Sequence, residues 1–366
     1  MGAELSAQIL VDALIADNLK GLKPYESARR LFSGGQDWLN ANESPYANEY
    51  ELDDSRFNRY PDCQPPAVIE GYARYAGVSK DQLICTRGAD EGIELLIRTF
   101  CTPGKDSVLI CPPTYGMYAI SAETCNVGIE RAPLKADFSL DLDAIFAFKG
   151  IVNLVFICSP NNPTGTVVNK DDLRQVLEHF GDSALVVVDE AYIEFDLASQ
   201  WASELGNYAN LVILRTLSKA FALAGIRCGF TLANAPVIAA LMKTIAPYPI
   251  PEPVAQIATQ ALSNDGLRRL ATQVQSINAD KAGIKAALAL LPVELVGDDK
   301  GNFILFRTPL KQALMDNLVS QGILIRDQSK QLNLENCLRI TVGSDEQNAR
   351  LLAAMACFFA AQEQAS

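Results

Sequence analysis

The sequence predicts an α/β fold, with a large domain around a mainly parallel central sheet flanked by helices and a smaller α+β domain built from the N- and C-terminal segments. The middle of the chain alternates short apolar strands with helical patterns, which is typical of a parallel sheet. Strands such as ALVVVD and LVILRTL are continuously apolar rather than alternating, so we expect both faces of the sheet to be covered. From about residue 270 the order of the elements changes to that of a smaller α+β unit.

The elements of the large domain follow from the apolar runs. We predict strands at 106–111, 151–158, 184–189, 211–217 and 228–234, with a helix at 171–180. In such a sheet, ligands bind beyond the carboxyl ends of the strands.

The C-terminal elements have different spacing. A long helix, SINADKAGIKAALALL, ends at Pro292; the segments VELVG, NFILFR, ILIRD and CLRITVG are predicted strands; and LKQALMDNLVSQG is a further helix. A capping box at Ser344–Gln347 begins the last helix. We therefore divide the chain into an N-terminal arm (1–35) that joins the small domain, a large domain (36–270) and a C-terminal small domain (271–366).

Composition narrows the class of function. The 366 residues carry a formal net charge of −12, which disfavours nucleic acid and anionic membranes as partners. There is no run of 18 apolar residues and no basic, apolar secretory start. None of the nine cysteines forms a C-x-x-C pair, which favours reduced thiols in a cytoplasmic protein. The only histidine, His179, has no partner at metal spacing, so we expect no metal; a solvated residue at a helix end is a better interpretation of it than a hydrolase base.

Polar residues follow three of the predicted strands. The segments are SPNNPTG (159–165), DEAY (189–192) and TLSK (216–219). Taken singly, the first is an ordinary turn, Asp189 is a candidate helix cap and Lys219 a candidate surface lysine. Because parallel strands end at the same edge of the sheet, we expect a lysine, a carboxylate, an amide and a phenol to meet there.

These residue types match the needs of one cofactor. A lysine in a desolvated position loses its charge more easily and forms an imine with an aldehyde. Ser218, Arg227 and the helix start at Ala89 and Asp90, after Gly88, supply donors for a phosphate. Asp189 is able to keep a pyridine nitrogen protonated. Together they indicate pyridoxal phosphate.

The segments SPNNPTG, DEAY and SKAFALAGIRCG resemble the fold-type-I pyridoxal-phosphate aminotransferases. RYPD (59–62), TRGADEGIELLIRTF (86–100) and NCLRITVG are similar to the class II, histidinol-phosphate branch of that family. The resemblance implies transfer of an amino group between L-histidinol phosphate and 2-oxoglutarate, giving imidazole-acetol phosphate and L-glutamate, in histidine biosynthesis. Relatives with the same cofactor that act on aromatic amino acids or decarboxylate threonine phosphate are the alternatives. A binding module of a transcription regulator is disfavoured, because the chain has no basic helix-turn-helix.

The resemblance also implies a role for each cofactor residue. Lys219 forms the internal aldimine and moves the Cα proton, and Asp189 pairs with the pyridinium nitrogen. Tyr192 and Asn162 bind the phenolic oxygen of the ring, and Tyr115 stacks on its face. The residues expected to bind the cofactor phosphate are Ala89, Asp90, Ser218 and Arg227.

The remaining roles concern the substrate and a second subunit. Tyr60 is expected to reach the cofactor phosphate of the neighbouring subunit, which implies a homodimer with shared active sites. Arg339 is expected to hold the substrate carboxylate, and Tyr25, Asn42 and Arg326 to line the substrate end. Simpler alternatives are a structural ion pair for Arg339, packing for Tyr115 and an ordinary interface contact for Tyr60.

Overall fold

The computed structural model describes residues 2–23 and 34–365. The strands in this part of the chain are β1 (Asp37–Trp38), β2 (Leu83–Thr86), β3 (Ser107–Ile110), β4 (Gly128–Arg131), β5 (Leu154–Cys158), β6 (Leu185–Asp189), β7 (Leu211–Thr216), β8 (Gly229–Ala233), β9 (Glu294–Val296), β10 (Phe303–Arg307), β11 (Ile323–Leu324), β12 (Arg326–Asp327) and β13 (Cys337–Thr341). The helices are α1 (Gly2–Leu14), α2 (Pro66–Ala76), α3 (Ala89–Phe100), α4 (Met117–Thr124), α5 (Leu142–Phe146), α6 (Lys170–His179), α7 (Ala235–Leu241), α8 (Glu252–Ala261), α9 (Asn264–Leu288), α10 (Lys311–Ser320) and α11 (Asp345–Ala365).

A seven-stranded sheet in the order β2-β8-β7-β6-β5-β3-β4 forms the centre of the fold. Its neighbouring strands pair in parallel except where β8 takes part, since β8 runs antiparallel to both β2 and β7. Strands β5, β6 and β7 are buried along nearly their whole length, as their unbroken apolar sequences require. The prediction of a mainly parallel sheet flanked by helices is confirmed.

Two strands of this sheet were not predicted from the sequence. Both β2 and β4 are four residues long. Strand β4, at the edge of the sheet, is half-buried to exposed along its length and its sequence, GIER, contains a single large apolar residue. An edge strand with so little apolar surface has no periodic pattern to detect.

The antiparallel sheet, which we define as strands β12-β13-β10-β9, is built from the C-terminal part of the chain. The segment ILIRD is not the single strand that was predicted. Its first residues form β11, which pairs in parallel with β1, and its last residues form β12, which pairs with β13. The strand that pairs with this segment changes at Ile325. The segment therefore connects β1, near the N-terminus, to the antiparallel sheet.

Side-chain caps mark the start of two helices in the C-terminal part. The predicted capping box is confirmed, because the Ser344 backbone donates to Gln347 Oε1 and the Gln347 backbone donates to Ser344 Oγ. The long helix α9 starts earlier than predicted, at Asn264, where the Ser263 hydroxyl accepts from the Gly266 backbone.

The two sheets meet at a backbone contact beside the predicted SPNNPTG loop. The backbone nitrogens of Asp298 and Lys300 donate to the carbonyl oxygens of Thr164 and Gly165, over 2.8 and 3.0 Å. Gly297 adopts a positive φ of 73° here, and a Cβ at this position would collide with the Thr164 carbonyl. The close approach fixes the loop that carries Asn162.

Two further properties concern the chain as a whole. All nine cysteines are free thiols, and six are buried: Cys85, Cys101, Cys111, Cys158, Cys228 and Cys337. Within 2–23 and 34–365, no helix is long and apolar enough to cross a membrane, and no group of His, Cys, Asp or Glu side chains is arranged to hold a metal ion. His179 ends α6 as expected; it is half-buried and stacks on Phe146 at 4.2 Å between ring centroids.

Candidate active site

A cavity of about 560 Å³ opens at the carboxyl ends of β5, β6 and β7. The three strands end at Cys158, Asp189 and Thr216, which all line it. Among the predicted site residues that the structure describes, all except Tyr60 line this cavity: Asn42, Ala89, Asp90, Tyr115, Asn162, Asp189, Tyr192, Ser218, Lys219, Arg227, Arg326 and Arg339. The structure therefore brings together residues that are up to 297 positions apart, from Asn42 to Arg339.

Lys219 extends into the cavity from the turn that follows β7. Its Nζ donates to the carbonyl oxygen of Ala41 over 2.9 Å and lies 5.8 Å from the centroid of the Tyr192 ring. Burial, and after it the positive charge of Arg339, lowers the pKa of Lys219 to about 8. The amine is thus much closer to its neutral, nucleophilic form than a solvated lysine.

Asp189 lies at the end of β6 and is 2% exposed. Tyr118 donates to its Oδ2 over 2.6 Å, and the Ala191 backbone donates to its Oδ1 over 3.1 Å. Burial raises the pKa of Asp189 to about 6, although the Tyr118 hydrogen bond opposes that rise. A cation placed against this carboxylate would favour its ionised form.

Backbone and side-chain donors converge at the N-terminus of α3. Gly88 precedes the helix with a φ of 80°, and a Cβ at this position would lie 2.6 Å from Arg227 Nη2. Gly229 approaches from β8 so closely that a Cβ there would lie 2.5 Å from the Gly88 carbonyl carbon. Arg227 Nη1 donates to Ser218 Oγ over 3.2 Å. The two glycines thereby let the Arg227 guanidinium and β8 lie close against the N-terminus of α3, and a helix N-terminus beside a guanidinium suits an anion.

The Asp90 carboxylate at the same helix start is held by two neighbours. Tyr115 donates to its Oδ1 over 2.9 Å, and Arg227 Nη2 lies 3.4 Å from its Oδ2. The Tyr115 ring is fixed edge-on against Tyr118 at 5.7 Å between centroids. The Asp90 carboxylate is thus bound by a phenol and a guanidinium. We therefore expect the backbone N–H groups at the start of α3, and not this carboxylate, to face a bound anion.

Two asparagines make different hydrogen bonds at the other end of the cavity. Asn42 Nδ2 donates to the Tyr192 hydroxyl over 2.9 Å, whereas Asn162 Oδ1 accepts from Arg339 Nη1. Arg339 Nη2 donates to the carbonyl oxygen of Asn40 over 2.9 Å. Arg326 faces Arg339 across the β12–β13 pairing, and both line the cavity. Two guanidinium groups therefore occupy one side of the site, which suits an anionic substrate.

Two predicted residues remain to be placed. Tyr25 falls within 24–33, outside the described residues. Tyr60 is 78% exposed and stacks on Tyr248 at 4.4 Å between ring centroids.

Sequence reasoning missed two contacts that the structure places next to the predicted residues. Tyr118 lies three residues after Tyr115 in CPPTYGMY, but Tyr115 precedes the helix that carries Tyr118, so the spacing alone did not place the two rings together. The Ala41 carbonyl that accepts from Lys219 left no signal, because a backbone group has no residue-type pattern.

Comparisons with known proteins agree with this geometry. A family model described as aminotransferase class I and II matches residues 34–355. The chain is 73% identical over 358 residues to the histidinol-phosphate aminotransferase of Pseudoalteromonas atlantica, with 96% of each chain covered. It is 53% identical over 353 residues to that of Yersinia enterocolitica, covering 96% of this chain and 94% of the relative.

A solved structure extends the likeness to the fold. The histidinol-phosphate aminotransferase of Sinorhizobium meliloti, in complex with pyridoxal-5'-phosphate, matches with a TM-score of 0.82 at 20% identity. The match covers 94% of this chain and 96% of that one, so the described fold is that of the fold-type-I enzymes over nearly its whole length.

Proposed function

The chain belongs to the class I and II aminotransferases, and from that premise we propose that it transfers an amino group between L-histidinol phosphate and 2-oxoglutarate, with pyridoxal phosphate as cofactor, in histidine biosynthesis. The observation that carries the proposal is the Lys219 amine, which lies in one cavity with the Asp189 carboxylate, the start of α3 beside Arg227, and two further arginines, Arg326 and Arg339. The full-length similarity to relatives named for this reaction supports the choice of substrate. The free, mostly buried cysteines suit a cytoplasmic location.

The residues present fit pyridoxal phosphate. The phosphate would lie at the N-terminus of α3, held by the backbone of Ala89 and Asp90 and by Ser218 and Arg227, while Tyr115 would lie over the ring. When bound, the cofactor supplies an aldehyde that condenses with amines and a pyridinium ring that withdraws electrons from the substrate Cα.

Asp189 would hold the proton on the ring nitrogen. Its carboxylate is fixed by Tyr118 and the Ala191 backbone, so it does not need to reorganise when the cation arrives. In the protein alone its pKa is raised to about 6 by burial, and the charge of a pyridinium would lower it again. Asp189 would therefore be ionised when the pyridinium ring is bound.

Lys219 would be both the residue that binds the aldehyde and the base. With a pKa of about 8, its Nζ is partly neutral near physiological pH. Once released by the substrate amine, Nζ would take the proton from the substrate Cα. The Ala41 carbonyl, which lies 2.9 Å from Nζ in the chain alone, would hold the amine within the cavity during this interval.

Arg339 and Arg326 would bind the anionic groups of both substrates. Histidinol phosphate carries a phosphate and no α-carboxylate, whereas glutamate carries two carboxylates. A guanidinium fork accepts either kind of anion through paired hydrogen bonds, so the same side serves both half-reactions.

We also propose that the enzyme is a homodimer with shared active sites. Tyr60 is exposed beside Tyr248 and does not line the cavity of its own chain, as expected of a residue that reaches the cofactor phosphate of a partner. Helix α1 exposes several apolar side chains that a second copy would cover: Leu5, Ile9, Leu10, Val11 and Leu14. Sedimentation equilibrium tests this proposal, and a monomer at micromolar concentration would contradict it.

A single-turnover experiment tests the activity. The purified enzyme is mixed separately with histidinol phosphate, phenylalanine and threonine phosphate, while the near-visible absorbance of the bound cofactor is followed. We expect loss of the band within one turnover for histidinol phosphate and much slower changes for phenylalanine. Faster reaction with phenylalanine would identify an aromatic aminotransferase, and release of CO₂ from threonine phosphate a decarboxylase.

Borohydride reduction tests the role of Lys219, with Lys219→Ala as the matched variant. Borohydride reduction of the native enzyme should fix the cofactor to Lys219, as a mass increase on its peptide. A native protein that binds no pyridoxal phosphate would refute the proposal.

A further inference from the structure

The segment Asn40–Asn42 connects the antiparallel sheet with the catalytic residues. On one side, Arg339 donates to the Asn40 carbonyl and the Thr341 backbone donates to the Leu39 carbonyl. On the other side, the Ala41 carbonyl accepts from Lys219 and the Asn42 amide donates to Tyr192. A short stretch of irregular chain thus touches the reacting amine and the phenol beside it.

Asn42 is fixed on every side. It is 1% exposed, and its backbone N–H donates to Thr341 Oγ1 over 2.9 Å. The Thr341 hydroxyl in turn donates to Asn42 Oδ1 over 3.3 Å. Because this bond occupies the amide oxygen, the amide nitrogen is the atom that faces Tyr192. The φ of Asn42 is 54°, a left-handed conformation that asparagine tolerates better than most residues.

Asn302 supports the same residue from the antiparallel sheet. It is 0% exposed, directly precedes β10, and its Nδ2 donates to the Asn42 carbonyl over 3.0 Å. The Asn302 carbonyl accepts from the Val342 backbone, so it is anchored to the segment after β13. Asn42 is therefore held by Thr341 of β13 and by Asn302, just before β10, through both its backbone and its side chain.

The direction of the hydrogen bond to Tyr192 has a chemical consequence. A phenol oxygen carries one hydrogen and also accepts hydrogen bonds. Since the Tyr192 oxygen accepts from Asn42 Nδ2, its own hydrogen is left to point into the cavity. We propose that Asn42, held by Thr341 and Asn302, is a positioning residue that directs the Tyr192 hydroxyl hydrogen towards the phenolic oxygen of the cofactor. The inference rests on the proposed function, because it concerns the cofactor which that function requires.

The test is the pH titration of the near-visible absorbance of the holoenzyme. Its midpoint reports the proton on the nitrogen that Lys219 shares with the cofactor. Loss of that proton leaves full negative charge on the neighbouring phenolic oxygen, which a donor from Tyr192 stabilises. Asn42→Gly, which suits the left-handed backbone, removes the amide. We expect its midpoint to rise by about one pH unit, the size of one hydrogen bond to a charged group.

A double-mutant cycle separates positioning from a general structural effect. Tyr192→Phe alone should raise the midpoint at least as far, and Asn42→Gly added to Tyr192→Phe should change it no further. The matched control is Asn336→Gly, an exposed asparagine with a φ of 60° that lies outside the cavity. It should leave the midpoint unchanged.

The outcomes are distinct. Equal shifts from Asn42→Gly in both backgrounds would overturn the inference, because the effect would then bypass Tyr192; an unshifted midpoint in Asn42→Gly would overturn it as well. If the native protein itself showed no near-visible band, the proposed function would fail instead. The fluorescence melting temperature of each variant, measured in parallel, checks that the comparison is made between folded proteins.

Discussion

Tyr118 donates a 2.6 Å hydrogen bond to Asp189 Oδ2, and both side chains are almost fully buried. The Tyr118 ring is itself held by stacking on Phe156 at 5.0 Å between centroids. The tyrosine therefore fixes the orientation of the carboxylate and favours its ionised form, which burial alone opposes. It acts as a permanent donor to the group that we propose holds the ring nitrogen.

The first prediction concerns this hydrogen bond. Tyr118→Phe keeps the stacked ring but removes the donor, so the pKa of Asp189 should rise further. We expect cofactor affinity at pH 7 to fall by roughly 10-fold, the value of one charge-assisted hydrogen bond. Absorbance titration of apoprotein with pyridoxal phosphate measures it. Tyr75→Phe, whose hydroxyl faces Glu194 rather than the cavity, is the control. If Tyr118→Phe and the native protein bound pyridoxal phosphate with equal affinity, the Tyr118 hydrogen bond would have no role in cofactor binding.

The second prediction is that Asp189→Asn stabilises the apoprotein while it strongly lowers the rate of transamination. Burial raises the pKa of Asp189 from 3.8 to about 6. The folded chain favours the protonated form of Asp189. The contribution of this residue to the free energy of unfolding is therefore fully present below about pH 4 and is lost as the pH rises through 6. The variant should gain on the order of 3 kcal/mol relative to native apoprotein between pH 4 and pH 8.

Urea unfolding of apoprotein at the two pH values measures this gain. Asp316→Asn, an exposed residue on α10, should show no such difference. A gain that is equal at pH 4 and pH 8 would show that ionisation of Asp189 is not its cause. Activity of the variant should fall by at least about 10²-fold.

The sequence was sufficient for the elements with strong local patterns. The unbroken apolar runs that became β5, β6 and β7 predicted the parallel sheet, and the polar residues after each run predicted where the cavity opens. This worked because parallel strands end at one edge, so residues far apart in sequence become neighbours without any knowledge of their contacts.

What the sequence did not predict depends on contacts between distant segments. The bond between Asn42 and Tyr192 joins residues 150 positions apart, and neither residue type requires the other. Similarly, ILIRD has the pattern of one strand, and only the presence of β1 divides it between two partners. Tertiary context decides such features, and a local pattern does not contain it.

The third prediction concerns a buried ion pair on the opposite face of the sheet from Asp189. Arg215 Nε donates to Glu190 Oε2 over 2.8 Å, with both side chains at most 1% exposed. Glu194, whose pKa burial raises to about 7, lies in the same cluster. Arg215→Met leaves buried carboxylates without their cation, so we expect a loss of about 3–5 kcal/mol at pH 8 and a smaller loss at pH 5, where the carboxyl groups take up protons.

Chemical unfolding at both pH values tests this. Adding Glu190→Gln to Arg215→Met should recover most of the loss. Arg174→Met is the surface control, because its partner Asp171 is largely exposed and this ion pair should contribute less than about 1 kcal/mol. A loss that did not depend on pH would point to packing rather than charge.

The fourth prediction compares two glycines with nearly the same backbone. Gly297 and Gly150 have φ values of 73° and 76°, but only Gly297 faces a neighbour, the Thr164 carbonyl. Gly150→Ala should cost about 1 kcal/mol of backbone strain. Gly297→Ala should cost clearly more and also weaken cofactor binding, because the displaced loop carries Asn162. Melting temperatures and cofactor titration measure both effects, and equal behaviour of the two variants would exclude a role for the close contact.

The last prediction concerns Arg339. Its guanidinium donates to Asn162 Oδ1 and to the Asn40 carbonyl, which holds the fork at the substrate side of the cavity. Arg339→Lys keeps a positive charge but loses the planar fork, so kcat/KM should fall by roughly 10²-fold in both half-reactions, and further in Arg339→Ala. Each half-reaction is measured separately by single turnover with histidinol phosphate or with glutamate.

Arg307→Ala, on the neighbouring strand β10 and outside the cavity, is the matched control and should leave both rates within about twofold of native. If Arg339→Ala lowered the melting temperature but spared both half-reactions, the arginine would be structural. If it impaired only the glutamate half-reaction, the phosphate of histidinol phosphate would be bound elsewhere, and Arg326 would be the first residue to test. Equal impairment of both half-reactions is the result that one shared anion site requires, since the same two nitrogens would then meet a phosphate in one direction and a carboxylate in the other.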